Sequence, residues 1–320
     1  MNPTLVHQML EGTAERLPEQ LLVIEPKERH DYASMNAAAN HLAATLLSRG
    51  MRPGDHVALL ARNSAFYVEA YYGVLKAGGV VVALNTASDE HMLVDYLRMS
   101  RATTLIVGPG MERLVKRAAA TIDEARLPAL KLLVSPHADE LGVTSTSAWC
   151  YARAETSEGP GVSVDPNDLA AIVFTSGSTG RPRGAMLTHG NIVANVTSIV
   201  RYLELTADDR VLQVLPFYYV YGKSVLNTHV MVGGTVVVEN RFRYPKVALD
   251  TLEQERCTGL SGVPSTFAIL LDRAGLAERE LGSLRYVTQA GGAMSPALTR
   301  QLMEALPDTR IYVMYGATEA

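Results

Sequence analysis

A stretch rich in glycine, hydroxyl side chains and arginine occupies residues 174–184, near the middle of the sequence. It contains three glycines, four serine or threonine residues and two arginines. Glycine lets the backbone approach an anion closely, and consecutive N–H groups in such a turn form an anion-binding concavity. Hydroxyl groups add neutral donors, and arginine adds a planar charge-assisted fork. The stretch therefore predicts a loop that wraps a polyphosphate.

Other familiar signatures of catalysis do not occur in the sequence. No G-x-x-x-x-G-K-[ST] can be fitted, so the stretch is not a Walker A motif, and no G-x-S-x-G marks a serine hydrolase. Gly108-Pro109-Gly110 lacks the third glycine of a dinucleotide-binding fingerprint. The eight histidines include no HExxH and no close pair, which argues against a zinc site. Residues 174–184 thus remain the main candidate for chemistry.

The elements that position this stretch follow from the spacing of apolar residues. Short apolar runs alternate with segments of helical period, and a run apolar on both faces indicates a parallel sheet covered by helices. Strands are predicted at 21–24, 56–60, 80–84, 103–107, 130–134, 169–174, 211–215, 235–239, 258–261, 284–289 and 310–314. Helices are predicted at 3–17, 33–49, 64–76, 89–99, 111–125, 189–203, 223–232, 245–256, 264–274 and 296–305. Residues 138–164 are polar without a sustained period and predict a long connection.

Composition limits the class of protein. The chain has 320 residues, of which 48% are hydrophobic, and a formal net charge of -4, which allows one large or two ordinary domains. Without a basic tail or stripe, a nucleic-acid partner is not expected. Cys150 and Cys257 are far apart, which excludes a disulfide framework and favours a reducing cytoplasm; Cys257 is expected to be a buried structural thiol. We expect neither a signal peptide at residues 1–17 nor a membrane span.

The stretch 174–184 resembles the phosphate loop of the acyl-adenylate-forming superfamily, which includes acyl-CoA synthetases, adenylation domains of peptide synthetases and luciferases. The family pattern is an aromatic residue followed by TSG-S/T-TG-x-P-K-G. The sequence matches it with one departure, because Arg183 stands where lysine is usual. Arginine keeps the charge but changes reach and geometry. The resemblance implies phosphate binding by Thr175, Ser176, Gly177, Ser178, Thr179, Gly180 and Arg183.

Three further segments resemble family motifs in the family's order. Residues 215–222 are similar to the PLFHxxG segment, with Tyr219 at the gate between the acyl pocket and the phosphates. Residues 289–293 are similar to the glycine segment against adenine, and residues 315–319 to YGxTE. The resemblance implies a catalytic set of Thr179, Arg183, Tyr219, Thr318 and Glu319, with Glu319 as the ligand of Mg²⁺. It implies nucleotide contacts from Gly291, Gly292, Ala293, Tyr315, Gly316 and Thr318.

The resemblance also implies a reaction in two steps. A carboxylate attacks the α-phosphate of ATP to give an acyl-adenylate, and a thiol of coenzyme A or of a carrier protein's phosphopantetheine then takes the acyl group. Amino-acid-activating relatives usually place an aspartate just after the gate, but residues 217–227 contain no acid. We therefore expect a fatty or aryl acid. The expected pocket residues are Tyr218, Tyr219, Tyr221, Ser224, Val263, Pro264 and Gly291.

The fold implied by the resemblance is α/β, with two stacked αβα subdomains and mostly parallel sheets. The expected subdomains are residues 54–200, and residues 1–50 together with 205–320. Since family members continue beyond these motifs, we expect an incomplete N-terminal AMP-binding domain, without the C-terminal domain, that does not turn over alone. Two alternatives stay open: an adenylation domain that loads an acyl or amino acid onto a carrier protein, and a non-catalytic nucleotide-binding fragment.

Overall fold

A computed structural model describes residues 3–125, 127, 129–175 and 182–319. The chain divides into two compact units. Unit 1 comprises Met1–Pro18 and Tyr32–Asn195 with Glu319, and unit 2 comprises Glu19–Asp31 and Val196–Thr318. None of the helices in the described ranges combines the length and the hydropathy that crossing a bilayer requires.

The described elements alternate between strand and helix along most of the chain. The helices are α1 (Val6–Arg16), α2 (Tyr32–Ser48), α3 (Ala65–Lys76), α4 (Glu90–Ser100), α5 (Glu112–Ala125), α6 (His189–Tyr202), α7 (Val220–Val232), α8 (Pro245–Gln254), α9 (Pro264–Ala274) and α10 (Pro296–Ala305). The strands are β1 (Leu21–Ile24), β2 (Arg29–Asp31), β3 (His56–Leu60), β4 (Val80–Ala83), β5 (Thr104–Val107), β6 (Leu132–Ser135), β7 (Ser147–Cys150), β8 (Leu169–Thr175), β9 (Arg183–Thr188), β10 (Arg210–Gln213), β11 (Thr235–Val238), β12 (Gly259–Gly262), β13 (Tyr286–Gln289) and β14 (Arg310–Val313).

Local sequence explains where several helices begin. Ser64 accepts a hydrogen bond from the Tyr67 N–H at 3.1 Å, and Asp89 accepts one from the Met92 N–H at 2.8 Å. Such side chains satisfy N–H groups that have no partner inside the helix. Helices α8, α9 and α10 each begin with proline, which fits the first turn because its missing N–H is not needed there.

The sheet of unit 1 has seven strands in the order β7-β6-β5-β3-β4-β8-β9. All neighbouring pairs are parallel except β8 and β9, which form an antiparallel hairpin. Every residue of β4, β5 and β6 is buried, as expected for a sheet covered on both faces. The predicted α/β class with mostly parallel sheets is confirmed.

The N-terminal helices correct the expected subdomain boundaries. Residues 1–50 were expected with 205–320, but α1 and α2 belong to unit 1, and only the β1–β2 hairpin belongs to unit 2. The reason lies in the packing of α2 on α3. A methyl group built on Gly73 would lie 3.1 Å from both the Ala39 carbonyl oxygen and the Leu42 Cβ. Small residues on α2 and α3 thus allow the two helices to pack closely. The apolar pattern of α2 alone does not specify α3 as its partner.

The connection at residues 138–164 contains structure that its polar sequence did not predict. Strand β7 pairs with β6 at the edge of the sheet, and its mostly exposed side chains lack an apolar signal. Beyond it, the Tyr151 hydroxyl donates to the buried Glu69 carboxylate, which also accepts from Arg153 Nε at 3.0 Å. Asn40 Nδ2 donates to the Thr156 carbonyl at 3.1 Å. Polar contacts therefore fix this segment onto α2 and α3.

The sheet of unit 2 also has seven strands, in the order β14-β13-β12-β10-β11-β1-β2. All pairs are parallel except the β1–β2 hairpin, and β1 joins the sheet by pairing with β11. Leu212, Leu260 and Val287 point from three strands into one apolar core together with residues of α8, α9 and α10. Cys257 is fully buried as a member of this core, and burial raises the pKa of its thiol to about 12. The predicted structural thiol is thereby confirmed.

Candidate functional site

The flanks of the predicted phosphate loop form a β-hairpin in unit 1. Residues 176–181, which include the predicted contacts Ser176, Gly177, Ser178, Thr179 and Gly180, lie outside the described residues. On either side, Thr175 ends β8 and Arg183 begins β9, and the two residues are paired in register. The Thr175 hydroxyl donates to the Arg183 carbonyl oxygen at 3.4 Å. The hairpin therefore holds the two ends of the predicted loop together, and the Arg183 residue is exposed beside it.

The base of this hairpin is anchored by a buried histidine. His189, the first residue of α6, directly follows β9, and its backbone N–H donates to the Asp168 carbonyl at 3.1 Å. Its Nδ1 accepts a hydrogen bond from the Val6 N–H at 3.1 Å, so the ring must be unprotonated at that atom. The His7 ring lies edge-on at a centroid distance of 5.8 Å. These contacts indicate a structural role for His189 at the start of α6.

Unit 1 is expected to lose stability as the pH falls from about 6.5 towards 4. Burial chiefly, and then the nearby His7, lower the pKa of His189 to about 4, while Asp168 opposes the shift. Burial chiefly, and then Lys76, also lower the pKa of His7, against the effect of Glu11. Below about pH 6.5 the unfolded chain binds protons that the folded unit does not, so acid favours unfolding. His189 alone contributes about 3 kcal/mol to this loss.

Urea unfolding between pH 7 and pH 4.5 measures this effect. The variant His189→Asn removes the titrating group and should flatten the dependence on pH, while the matched variant His91→Asn, at an exposed position of α4, should retain it. An unchanged pH dependence in His189→Asn would show that the destabilisation by acid has another origin.

In unit 2, the predicted gate lies at the start of α7. Tyr219 immediately precedes the helix, is 46% exposed, and has its ring 4.5 Å from that of Tyr218. The chain folds back tightly here, because a Cβ built on Gly222 would lie 2.8 Å from the Pro216 carbonyl carbon and 3.0 Å from the Leu215 carbonyl oxygen. Glycine at position 222 therefore allows residues 215–222 to adopt this turn.

The predicted glycine segment lies against the start of α9. Gly291 has φ of +79°, a conformation that favours glycine, and a Cβ added to it would lie 3.1 Å from Val263 Cγ1. A Cβ on Gly292 would lie 3.6 Å from the Pro264 ring, and the Gly292 carbonyl accepts from Gln289 Nε2 at 2.8 Å. Gly291, Gly292 and Ala293 are all exposed. The structure thus brings four predicted residues together around an open glycine turn.

A chain of hydroxyl groups connects α7 to the sheet beside this turn. The Tyr221 hydroxyl is 2.8 Å from Thr288 Oγ1, which in turn is 2.8 Å from Ser261 Oγ. Burial raises the pKa of Tyr221, although the Thr288 and Ser261 hydroxyls and the Gly262 backbone oppose the shift. A cavity of about 20 Å³ lies next to these groups and is lined by Ile199, Leu203, Tyr221, Ser224, Val225, Thr228, His229, Ser261, Tyr286, Thr288 and Met314. Both Tyr221 and Ser224, predicted as pocket residues, line it.

The layer between α7 and the sheet is unusually polar. Lys223 is 3% exposed, and burial lowers its pKa to about 7. His229 Nε2 lies 2.9 Å from the Tyr286 hydroxyl, and burial chiefly lowers the pKa of this histidine to about 4. The Gln213 Oε1 atom is buried without a hydrogen bond in the described part of the chain. Buried polar groups are costly without a structural or functional use.

Sequence reasoning missed most of this polar layer. It named neither Ser261 nor Thr288, and it did not assign roles to His229 and Tyr286. The available signal was the period of two in β12 and β13, which alternates Leu260 with Ser261 and Val287 with Thr288. We interpreted both strands only as buried apolar runs.

The fourth predicted segment follows β14. The Tyr315 side chain is fully exposed, and Gly316 has open space around its Cα. The Thr318 residue is partly buried and the Glu319 residue is exposed. An exposed carboxylate is a suitable hard oxygen ligand for Mg²⁺, and an exposed ring offers a free face for stacking. The exposure of Glu319 and Tyr315 thus fits the Mg²⁺ ion and the adenine ring that the motif implies.

Comparison with known proteins agrees with these motifs. A family model described as AMP-binding enzyme matches residues 10–320. A feruloyl-CoA synthase of an Amycolatopsis species is 35% identical over 90% of this chain and 54% of its own length. Bacitracin synthase 3 of Bacillus licheniformis is 29% identical over 98% of this chain and 4% of its own length.

The fold comparison gives the same result. The crystal structure of the N-terminal domain of FACL13 from Mycobacterium tuberculosis superimposes with a TM-score of 0.83 at 26% identity, covering 98% of this chain and 76% of that one. Against the acyl-CoA ligases among its curated relatives, the chain spans between 54% and 63% of their length. From the family model, the four motifs and the fold together, we conclude that the chain belongs to the AMP-binding enzyme family.

Proposed function

We propose that the protein activates a fatty or aryl carboxylic acid with ATP and passes the acyl group to coenzyme A. Two contacts within unit 2 carry this proposal. The glycine turn at Gly291 lies against Val263, and Tyr221 lies against the end of β12. Gly291 and Tyr221 come from separate motifs predicted to bind the nucleotide and the acid, and Val263 is a predicted pocket residue. Their proximity supports one site in which an acid and an adenine could lie side by side.

The residues would act mainly by positioning the reactants and by stabilising charge. A carboxylate oxygen of the acid bonds to the α-phosphorus of ATP, and the bond to pyrophosphate breaks. Thr179 and Arg183 would bind phosphate oxygens, and Thr318 would donate to them. Glu319 would hold Mg²⁺, which when bound offsets negative charge on the phosphates. The thiol sulfur then bonds to the acyl carbon, and AMP leaves.

The gate and the pocket would decide which acid enters. Tyr219 is half-exposed at the start of α7 and would close the acyl pocket against the phosphates. No carboxylate occurs between residues 217 and 227 to pair with an ammonium group, so an uncharged tail is favoured. The similarity to a feruloyl-CoA synthase supports an acyl-CoA product, and the similarity to bacitracin synthase 3 supports the second candidate, transfer to the phosphopantetheine of a carrier protein.

Binding of an adenylate mimic tests the proposal on the 320-residue chain itself. We would titrate hexanoyl-, 3-phenylpropanoyl- and alanyl-sulfamoyl adenosine, and AMP, into the protein by calorimetry. The first two mimics should bind more tightly than AMP and than the alanyl compound. If none of the three acyl compounds binds more tightly than AMP, acid activation is contradicted; if the alanyl compound binds as tightly as the other two, only the preference for an uncharged tail is contradicted.

Tyr315→Ala is expected to weaken binding of the better mimic by about 5- to 150-fold. Stacking of a base on an aromatic ring contributes about 1–3 kcal/mol. Because the Tyr315 side chain is fully exposed, its removal should leave the free energy of unfolding unchanged. Tyr244→Ala is the matched control, since Tyr244 is also exposed, at 63%, and lies outside the four motifs. If both variants bind the mimic as the parent does, Tyr315 does not stack on adenine.

The remaining features of the proposal concern surroundings and partners. We propose a cytoplasmic reaction, because Cys150 and Cys257 are both free thiols and cysteine usage favours a reducing compartment. The proposed partners are a small carboxylic acid and coenzyme A or a carrier protein, with no nucleic acid.

A further inference from the structure

The turn of the β1–β2 hairpin in unit 2 brings together three side chains that can bind a metal ion. The Glu25 N–H donates to the Glu28 carbonyl oxygen at 2.9 Å and closes a four-residue turn, which has proline at its second position. In the strands that flank this turn, Val23 pairs with His30. Because side chains alternate along a strand, Glu25, Glu28 and His30 lie on the same face of the hairpin.

The ligand atoms of these residues are close enough to share one ion. One carboxylate oxygen from each glutamate and one ring nitrogen of His30 lie within 4.8 Å of one another, and no other such group of three occurs among the residues that the structure describes. His30 Nε2 is 3.2 Å from Glu28 Oε2. Two bonds of about 2.0–2.2 Å at a tetrahedral angle place their ligand atoms about 3.3–3.6 Å apart. The separation of these two atoms is therefore close to the one around a single ion.

Charge and exposure at the turn also favour a cation. Two carboxylates beside one imidazole leave a net negative charge even when the ring is protonated. Arg29 lies on the opposite face, where it donates to the Glu255 carboxylate at 2.7 and 3.2 Å, and Lys27 is exposed. The His30 side chain is only 12% exposed and is held in place, while that of Glu28 is 68% exposed and free to turn towards an ion.

The ligand types indicate a transition metal. Imidazole and carboxylate groups both bind Zn²⁺, and open zinc sites use three protein ligands with water in the fourth position. Mg²⁺ and Ca²⁺ instead prefer sites made of oxygen ligands alone. A zinc site of this composition needs neither HExxH nor a pair of histidines, the two signals whose absence argued against zinc in the sequence.

We propose that Glu25, Glu28 and His30 bind one Zn²⁺ ion at the turn of the β1–β2 hairpin. The ion would join the turn to β2, the edge strand of the sheet in unit 2. Because the three ligands come together only in the folded hairpin, zinc would stabilise the pairing of β2 with β1. None of the three residues belongs to the four motifs, so the site does not involve Glu319 and does not depend on acid activation.

Zinc titration of the 320-residue chain tests the proposal. The background variant Cys150→Ser removes the exposed thiol, which could bind zinc by itself. Calorimetry on chelator-treated protein at pH 7 should show one equivalent of Zn²⁺, and an excess of Mg²⁺ should not displace it. His30→Gln and Glu28→Gln should each weaken binding at least about 10-fold. Zinc should also slow hydrogen exchange of residues 21–31 in the background protein and not in His30→Gln.

Two control variants remove the same kinds of group elsewhere. His137 is exposed and is followed closely by two acidic residues, and Glu19 is exposed just before β1. His137→Gln and Glu19→Gln should bind zinc as the background protein does. Absence of zinc binding, equal affinity in His30→Gln and Glu28→Gln, or displacement of zinc by an equal concentration of Mg²⁺ would overturn the inference. Binding of an adenylate mimic should be the same in His30→Gln as in the background protein, so each of these outcomes leaves acid activation untouched.

Discussion

Gly222→Ala is expected to destabilise unit 2 by about 3 kcal/mol and to abolish binding of an adenylate mimic. An added Cβ would collide with the carbonyl group of Pro216 and approach that of Leu215 to 3.0 Å. Both obstacles are backbone atoms, so no side chain can rotate away, and the segment before α7 must move instead. Overpacking of this kind costs about 1–3 kcal/mol, and occasionally more. The gate residue Tyr219 lies in the segment that must move, so binding should fail together with stability.

Gly12→Ala is the matched control for this substitution. Gly12 also lies inside a helix, α1, but nothing comes within 4 Å of a Cβ built there. Alanine should therefore stabilise the protein by about 0.5–1 kcal/mol through its better helix propensity. Urea unfolding measures the change in stability of Gly222→Ala and of Gly12→Ala. Hydrogen exchange of residues 215–232 then shows whether the destabilisation by Gly222→Ala is located around the start of α7. Normal binding and stability in Gly222→Ala would mean that the turn before α7 is not as tight as the structure has it.

Asp209→Asn is expected to cost unit 2 about 3 kcal/mol of stability. The Asp209 side chain is 4% exposed and accepts from Arg285 Nη2 at 2.8 Å, from Thr258 Oγ1 at 2.7 Å and from the Thr206 N–H at 2.8 Å. One carboxylate thus joins the amino ends of β10, β12 and β13. The side-chain amide of asparagine presents an NH₂ group, which is a donor, to groups that are themselves hydrogen-bond donors. Breaking a buried ion pair costs about 3–5 kcal/mol, and the 34% exposure of Arg285 places this pair at the lower end.

The neighbouring residue provides the control. Asp208 is exposed, and its substitution by asparagine should change the free energy of unfolding by less than about 0.5 kcal/mol. Guanidinium unfolding of Asp209→Asn and Asp208→Asn at pH 7 gives the comparison. Equal stability of the two variants would show that the hydrogen bonds of Asp209 contribute no more to the free energy of unfolding than those of an exposed carboxylate.

The sequence predicted the strand–helix order of this fold well where apolar periodicity was strong. The bounds of β1, β3, α9 and α10 agree with the predicted ranges, because their apolar runs or their caps are unambiguous. It failed at β2 and β7, which are short edge strands, and at β9, which completes an antiparallel hairpin. Such strands are defined by pairing with a neighbour and carry little pattern of their own.

The candidate site, too, was predicted from the sequence only in part. The motifs predicted one site that contains Gly291 and Tyr221, with Val263 as a pocket residue. In unit 2, a Cβ built on Gly291 would lie 3.1 Å from Val263 Cγ1, and the Tyr221 hydroxyl meets the backbone of Gly262. Motifs could not reveal the Asp209 network or the Thr288–Ser261 bond, because each joins residues far apart in the chain. The partners become visible only when the register of β12 and β13 is known.

The placement of the β1–β2 hairpin has a consequence for folding during synthesis. β1 joins its sheet through β11, which begins at Thr235, about 200 residues later in the chain. At ribosomal rates of about 5–20 residues per second, the hairpin emerges roughly 10–40 s before its partner strand exists. During that interval the residues Leu22 and Val23, fully buried in the finished sheet, have no sheet to join. β1 is therefore made long before it can join its sheet, and a chaperone that shields it would act on the nascent chain well before unit 2 is complete.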